Sequence, residues 1–336
     1  MNSLSKVVVV APRPGGDSKL EELWPVTVPV EWRLADAPVD SAESLALLPG
    51  AHAVITTVFT REMGAVSDTL RAILVPAAGY ENIRPDAVPN GCVVANAYEH
   101  EEPIAEWVIM AMVALDHELF KSEHTFRAGS WEMWPGRHGV YRELKGRTLG
   151  IVGLGRIGRR TAHIAKALGM RCIAATRTPP GHGKPLPPDI DSVVGMEGLS
   201  DVLSASDFVL IGTPLRTETR GLIGSRELAC MKSGAYVINP ARGPIVDEKA
   251  VFEALRDRRI AGAALDTWYQ YPTGKNDLPR PASYPFWELD NVIMTPHHSG
   301  ATYGTRARRG RLVAENIDRL RRGEALLNIV AEISRP

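Results

Sequence analysis

Three regularly spaced glycines lie where an apolar run passes into a helical pattern. Residues 149–158 read LGIVGLGRIG, with Gly153, Gly155 and Gly158 in a G-x-G-x-x-G arrangement. The first glycine can make a tight turn, the second lets backbone approach a ligand, and the third lets a helix pack closely on a strand. A pyrophosphate would accept hydrogen bonds from the N–H groups at the positive end of that helix, which begins with Arg156 and Ile157. The motif predicts a dinucleotide site; a glycine turn made for packing alone is the alternative.

The residues that follow the next apolar run bear on which dinucleotide would bind. NAD-selective sites carry an acidic residue about 20 positions beyond the glycines, where it accepts a hydrogen bond from the adenosine ribose. Here the run 171–175 is followed instead by Thr176, Arg177 and Thr178. No carboxylate would repel a 2′-phosphate, and Arg177 could bind one while the threonine hydroxyls donate. We therefore predict a preference for NADP(H), with NAD(H) possible and with His182 or Lys184 as weaker contributors; a solvated arginine is the alternative.

Length and charge limit the class of protein. The 336 residues exceed the usual size of one hydrophobic core, so two domains are expected. The 39 basic and 39 acidic side chains give a formal net charge of zero, so no excess of positive charge suggests binding to nucleic acid or to an anionic membrane. No apolar run is long enough for a membrane span or a signal-peptide core, so a cytoplasmic protein is expected. Cys92, Cys172 and Cys230 are widely separated, which favours buried free thiols and no metal site.

Two series of apolar runs alternate with segments of helical length. Such runs are typical of parallel strands buried on both faces, so the fold class is α/β with two doubly wound parallel sheets. The first series lies within residues 1 to about 100, and the second begins at Leu149. The predicted strands are Lys6–Ala11, Ala53–Phe59, Ala72–Pro76 and Cys92–Ala95, then the strand from Leu149, Arg171–Thr176, Phe208–Gly212, Ala235–Asn239, Gly262–Asp266 and Val292–Thr295.

Two helical segments complete the plan. Pro103 suits the first turn of a long helix, and apolar residues at spacings of three and four continue it as far as Leu119. We interpret it as a bridge between the domains. After Thr302 the chain is helical and basic, and this tail should dock on an earlier domain because it is too short to form its own.

Five motifs in order resemble the D-isomer-specific 2-hydroxyacid dehydrogenase family. They are 77–80 (AAGY), 105–106 (AE), 153–158 (GLGRIG), 239–243 (NPARG) and 295–300 (TPHHSG). The resemblance covers nearly the whole chain. It implies a flavodoxin-like substrate domain of residues 1–100 and 303–336, into which a Rossmann nucleotide domain of residues 101–302 is inserted. It also implies a homodimer formed through the region Glu101–Arg127, with a small 2-oxo acid as substrate.

The family pattern assigns roles to single residues. Arg242 would orient the substrate and stabilise negative charge on its oxygen, since a guanidinium matches a carboxylate and its neighbouring carbonyl. His297 would exchange the proton, as histidine can near neutral pH. The backbone N–H groups of Ala78 and Gly79 would receive the substrate carboxylate. Around the cofactor, Asp266 would meet the nicotinamide carboxamide, and Thr213 and Pro214 would border the nucleotide.

One position departs from the family pattern. Tyr271 stands where these dehydrogenases usually carry the glutamate that pairs with the histidine. A carboxylate favours the imidazolium, whereas a tyrosine hydrogen-bonds the ring without charge. Reduction of a 2-oxo acid would then have a lower pH optimum or use another acid nearby. Tyr271 and Ser299 are both expected to border the substrate, and Ser299 also matches the formate dehydrogenase branch.

Three functions follow from these residues. The first is NADPH-dependent reduction of a small 2-oxo acid, such as glyoxylate or hydroxypyruvate, to a D-2-hydroxy acid. The second is oxidation of a small anion without acid–base help, as in the formate dehydrogenase branch. The third is a nucleotide-sensing binding protein with weak catalysis, which Tyr271 in place of the usual glutamate would permit.

Overall fold

A computed structural model describes residues 5–10, 20–35, 38–181, 185–272, 277–331 and 333–335. Its strands are β1 (Ser5–Val10), β2 (Val30–Ala35), β3 (Ala53–Ile55), β4 (Ala72–Val75), β5 (Val93–Asn96), β6 (Thr148–Val152), β7 (Arg171–Ala175), β8 (Ser192–Val194), β9 (Phe208–Ile211), β10 (Tyr236–Asn239), β11 (Gly262–Leu265) and β12 (Val292–Met294). Its helices are α1 (Leu20–Leu23), α2 (Ala42–Ala46), α3 (Arg61–Ala65), α4 (Glu101–Asp116), α5 (Leu119–Arg127), α6 (Pro135–His138), α7 (Arg156–Ala167), α8 (Leu199–Ala205), α9 (Ser225–Cys230), α10 (Glu248–Arg256) and α11 (Tyr303–Arg322).

The chain divides into two compact units. The first consists of Met1–Glu99 and Thr302–Pro336, and the second of His100–Ala301. Each has its own sheet, in which all the described strand pairs are parallel. The α/β fold class with two parallel sheets is thus confirmed.

The sheet of the first unit has the strand order β2-β1-β3-β4-β5. This is the flavodoxin-like order, in which the chain reverses direction across the sheet between β1 and β3. Val7 and Val8 illustrate how successive side chains face opposite sides, because each belongs to a different hydrophobic cluster. The cluster around Val7 includes Val313, Ala314 and Ile317, so α11 covers one face of this sheet.

The sheet of the second unit has the order β12-β11-β10-β9-β6-β7-β8. Counted from β6, this contains the doubly wound Rossmann order, and the reversal falls between β6 and β9. Ligands of such sheets bind in the crevice at the carboxyl ends of the strands beside that reversal. A nucleotide is therefore expected to bind at the loops after β6 and β9.

Both faces of the second sheet are covered, which explains why its strands are almost wholly apolar. Leu149 and Ile151 pack with α4 and α7 on one face, whereas Val152 packs with α8, α9 and α10 on the other. Every residue of β6 is buried. The continuous apolar runs of the sequence predict these central strands because no position on them faces water.

Three strands and one helix end differ from the sequence predictions: the strand predicted at Ala53–Phe59 ends at Ile55, and β2 and β8 were not predicted. β2 and β8 lie at sheet edges and their residues are mostly half-buried, so their apolar patterns are weak. The helix that begins near Pro103 ends at Asp116 rather than continuing through Leu119. Glu118 has a left-handed φ of 45°, which breaks the helical path and leaves Leu119 as the exposed first residue of α5.

The described residues contain no helix long and apolar enough to cross a membrane. They likewise contain no cluster of three or more His, Cys, Asp or Glu side chains able to hold a metal ion. Cys92 and Cys172 are buried, and burial raises the pKa of each thiol to about 12. Cys230 is only partly buried.

Candidate active site

The glycine turn has the geometry that its spacing predicts. Gly153 has a φ of +93°, and a Cβ there would lie 2.7 Å from the backbone nitrogen of Thr213. A Cβ on Gly158 would lie 2.8 Å from Cγ2 of Ile151, so this glycine allows α7 to pack on β6. At Gly155 the nearest atom to such a Cβ is 3.8 Å away, which leaves the backbone approachable. Because α7 begins at Arg156, its first N–H groups lie at this opening.

The carboxyl ends of the neighbouring strands carry the other predicted cofactor residues. Thr176 follows β7 and is half-buried, whereas Arg177 and Thr178 are exposed. Thr213 and Pro214 follow β9, and the backbone of Thr213 packs directly behind Gly153. His182 and Lys184 lie outside the described residues.

The loop that carries Arg242 is held by hydrogen bonds to the side chain of Asn239 and by close packing at Gly243. The buried side chain of Asn239, at the end of β10, accepts from the Ala241 N–H at 3.1 Å and donates to the Arg242 carbonyl at 3.0 Å. Gly243 has no room for a side chain, since a Cβ would lie 2.4 Å from the Trp268 carbonyl oxygen. These contacts fix the backbone of Arg242, whose own side chain is half-buried.

His297 occupies a strained turn after β12. Its φ of 57° is in the left-handed region, which is unusual for a residue other than glycine. The fully buried Asp266 carboxylate, at the end of β11, holds this turn from both sides. It accepts hydrogen bonds from the Thr295 hydroxyl (2.6 Å), the His298 N–H (2.9 Å), and the Ser299 N–H (3.0 Å) and hydroxyl (2.5 Å). Strain held by so many contacts is typical of functional sites.

These hydrogen bonds give Asp266 a structural role. Its carboxylate accepts four hydrogen bonds from the turn after β12 and so positions the backbone on which His297 stands. Its expected contact with a nicotinamide carboxamide stays a prediction. Ser299 is also buried and its hydroxyl donates to Asp266, so toward a substrate it could only accept.

Tyr271 contacts His297 directly. Its hydroxyl lies 3.1 Å from Nδ1 of the imidazole and accepts a hydrogen bond from the Trp268 N–H, also at 3.1 Å. Burial raises the pKa of the Tyr271 phenol above its ordinary value, which the nearby Arg242 opposes. The phenol is therefore neutral at pH 7. The histidine thus has a hydrogen-bonding partner where the family pattern has a charged one.

Trp268 is a site residue that the sequence analysis missed. Besides donating to Tyr271, it donates from its indole Nε1 to the Thr295 carbonyl at 2.8 Å, and its own carbonyl packs against Gly243. It therefore connects the loops that carry Arg242, Tyr271 and His297. A large aromatic residue just beyond a buried strand was the available signal, but it is equally typical of core packing.

The predicted carboxylate-binding loop belongs to the first unit, where Ala78 and Gly79 follow β4. Asn96, at the end of β5, donates from Nδ2 to the Ala78 carbonyl at 2.7 Å, and the Ala97 N–H donates to the Ala77 carbonyl at 3.0 Å. In a trans peptide the N–H points opposite to the C=O. Both carbonyls are held toward the end of β5, so the N–H groups of Ala78 and Gly79 point away from it. Asn96 was also missed by the sequence analysis.

The residues of the second unit suit a bound dinucleotide. The open backbone at Gly155 and the start of a full-length helix suit a pyrophosphate. Arg156 is exposed beside them, with Glu101 at 3.6 Å from its guanidinium. The loops bearing Arg242 and His297 follow β10 and β12, at the carboxyl edge of the same parallel sheet. The second unit therefore brings the His297 imidazole, the Arg242 guanidinium and the glycine turn to one edge of its sheet.

Comparisons with known proteins agree with this arrangement. Residues 109–299 match the family model described as "D-isomer specific 2-hydroxyacid dehydrogenase, NAD binding domain". A glyoxylate reductase of Korarchaeum cryptofilum is 32% identical over 325 residues, which cover 94% of this chain and 92% of that protein. A glyoxylate reductase of Aeropyrum pernix is 36% identical over 271 residues, covering 78% and 76%. The crystal structure of a glyoxylate reductase from Paecilomyes thermophila is 26% identical, covers 98% of this chain and 99% of that one, and superposes with a TM-score of 0.78.

Proposed function

Because the chain belongs to the D-isomer-specific 2-hydroxyacid dehydrogenase family, we propose that it reduces a small 2-oxo acid, such as glyoxylate or hydroxypyruvate, to the D-2-hydroxy acid with NADPH. The observation that carries the proposal is the placement of Arg242 and His297 after β10 and β12 of the nucleotide-binding unit. The glyoxylate reductases among its relatives support the substrate class. Thr176 and Arg177, with no carboxylate beside them, support NADPH.

Each group has a distinct role in this proposal. A reduced nicotinamide, when bound, supplies the hydride. Gly153, Gly155 and Gly158 would hold its pyrophosphate with the start of α7. The N–H groups of Ala78 and Gly79 would bind the substrate carboxylate.

The remaining groups act on the substrate carbonyl. Arg242 would bind the carbonyl oxygen and stabilise the charge that develops there. His297 would give that oxygen its proton. Asp266 and Trp268 would hold the loops on which these two groups stand.

The proposal is tested by assaying a panel of 2-oxo acids with NADPH and NADH, and formate with the oxidised cofactors. We expect reduction of at least one small 2-oxo acid and no turnover of formate. Removing the guanidinium in Arg242→Ala should lower kcat/KM by about 100-fold or more. Removing the imidazole in His297→Ala should lower it by about 100-fold or more.

Two surface variants serve as matched controls. Arg256→Ala and His163→Ala remove the same side-chain types from exposed positions and should keep full activity. Failure of every 2-oxo acid, or full activity in both site variants, would rule out the proposed reaction. Formate oxidation that survives His297→Gln would favour the formate dehydrogenase branch instead.

A further inference from the structure

The hydroxyl of Tyr271 has two hydrogen-bonding neighbours of different kinds. The backbone N–H of Trp268 can only donate, so toward Trp268 the phenol oxygen acts as an acceptor. The phenol hydrogen is thereby left to point elsewhere. The other neighbour is Nδ1 of His297, at 3.1 Å.

An imidazole nitrogen can accept that hydrogen only in one tautomer. If Nδ1 accepts from the phenol, the neutral ring carries its hydrogen on Nε2. A carboxylate in place of Tyr271 would have the opposite effect, because it accepts from Nδ1 and stabilises the charged imidazolium. Tyrosine at this position therefore changes both the charge and the proton arrangement of His297.

Burial keeps the hydrogen of Tyr271 in place near neutral pH. Burial raises the pKa of the phenol, the Trp268 N–H and Arg242, after β10, lower it, and the negative charge of Asp266, after β11, raises it. The net direction is upward, so the phenol stays protonated across the physiological range. His298, the other titratable ring in the turn after β12, is exposed, and its backbone N–H donates a hydrogen bond to the Asp266 carboxylate.

We propose that the Tyr271 phenol is the proton source behind His297, so that a neutral Tyr271–His297 pair, rather than an imidazolium, protonates the substrate oxygen. This inference rests on the proposed 2-oxo acid reduction. As the carbonyl carbon receives the hydride, its oxygen takes the Nε2 hydrogen and Nδ1 takes the phenol hydrogen. The O–H bond of Tyr271 breaks, and the phenolate beside Arg242 later regains a proton from water. The relay runs downhill because an alkoxide is more basic than a phenolate.

The relay predicts an unusual pH profile. An ordinary histidine has a pKa near 6.5, so at pH 8.5 only about 1% of it is imidazolium. An enzyme that needs the imidazolium would lose about 100-fold in kcat/KM for reduction at that pH. A neutral pair needs no such charge and should work until the phenol itself ionises.

The experiment measures kcat/KM for glyoxylate reduction from pH 6 to 9 in the wild type, Tyr271→Phe and Tyr269→Phe. We expect the wild type to vary by less than about threefold and Tyr271→Phe to fall by about 50-fold between pH 6.5 and 8.5. Tyr269→Phe is the matched control, because it removes a phenol hydroxyl that donates to the Val246 carbonyl instead. Its profile should follow that of the wild type. If the wild type and Tyr271→Phe fall in parallel, or if both stay flat, Tyr271 is not the proton source.

A second measurement uses the protein without cofactor or substrate. In ¹⁵N NMR of the histidine rings, with His297 assigned by comparison with His297→Gln, we expect the Nε2–H tautomer at pH 8 and its partial loss in Tyr271→Phe. A predominantly Nδ1–H ring would overturn the inference whatever the activity. If no 2-oxo acid is reduced while the Nε2–H tautomer is present, the proposed function fails and the hydrogen-bond arrangement stands.

Discussion

At residue 177 a single side chain supports the proposed preference for NADPH over NADH. Arg177 is exposed just beyond the end of β7, where NAD-selective enzymes have a carboxylate. A guanidinium there would form charge-assisted hydrogen bonds to a 2′-phosphate, whereas NADH offers only a hydroxyl. Thr176 and Thr178 on either side add hydroxyl donors without adding charge.

Arg177→Asp tests this assignment. We expect the ratio of kcat/KM for NADPH to that for NADH to fall by more than about tenfold, since a hydrogen bond to a charged group contributes about 1.5–3 kcal/mol and the new carboxylate also repels the phosphate. Arg171→Ala is the control, because Arg171 is also exposed but lies at the start of the same strand. A wild-type enzyme that already prefers NADH would contradict the NADP assignment.

At the same scale, Asp266 has a structural role besides the cofactor contact that the family pattern implies. Its carboxylate accepts four hydrogen bonds that hold the strained turn of His297. Its four donors come from residues 29 to 33 positions away in the sequence. No local pattern indicates such bonds.

At the level of elements, the end of β5 supports the loop after β4. Asn96 is buried, and its Nδ2 holds the Ala78 carbonyl. Since this bond directs the Gly79 N–H to the opposite side, Asn96 should position the carboxylate-binding loop without touching the substrate.

Asn96→Asp removes the donor with almost no change of shape. We expect KM for the 2-oxo acid to rise by about tenfold, because a misdirected N–H loses a hydrogen bond to a carboxylate, while the Kd of NADPH stays unchanged. Asn316→Asp is the matched control, since Asn316 is another buried asparagine of the first unit that donates to a backbone carbonyl, that of Leu327. It should lower Tm without changing KM. Equal effects of the two variants on KM would assign Asn96 a general structural role.

For the whole molecule, the segment 119–140 exposes several large apolar side chains. Phe126 and Trp131 are 57% and 60% exposed and pack edge to face. Phe120, Trp134 and Val140 are exposed in the same segment. Such clusters usually mark a protein interface. We propose that this segment, together with α4, forms the homodimer that the family resemblance implies.

The dimer is tested by light scattering after gel filtration. The wild type should have twice the 36.6 kDa chain mass, and the double variant Phe126→Glu/Trp131→Glu should be monomeric because two charges cannot be buried without partners. Tyr303→Glu, at a position 92% exposed at the start of α11, should remain a dimer. A monomeric wild type, or a dimeric double variant, would place the contact elsewhere or exclude it.

Most of the sheet architecture could be predicted from the amino-acid sequence, because central parallel strands are buried on both faces and must be continuously apolar. The turn at Gly153 and the end-of-strand positions of Arg242 and His297 could be predicted for the same reason, since each directly follows such a strand. The edge strands β2 and β8 could not, because strands with partly exposed residues have a weaker pattern.

The working arrangement of the site depended on contacts between distant segments. The hydrogen bonds from Trp268 to Thr295 and from Asn96 to Ala78, and those that occupy Asp266, exist only after separate strands have packed into their sheets. Sequence patterns reveal which chemical groups follow which strands. Folding determines the hydrogen-bond partners of those groups, because that choice depends on distances set by the packing of the core.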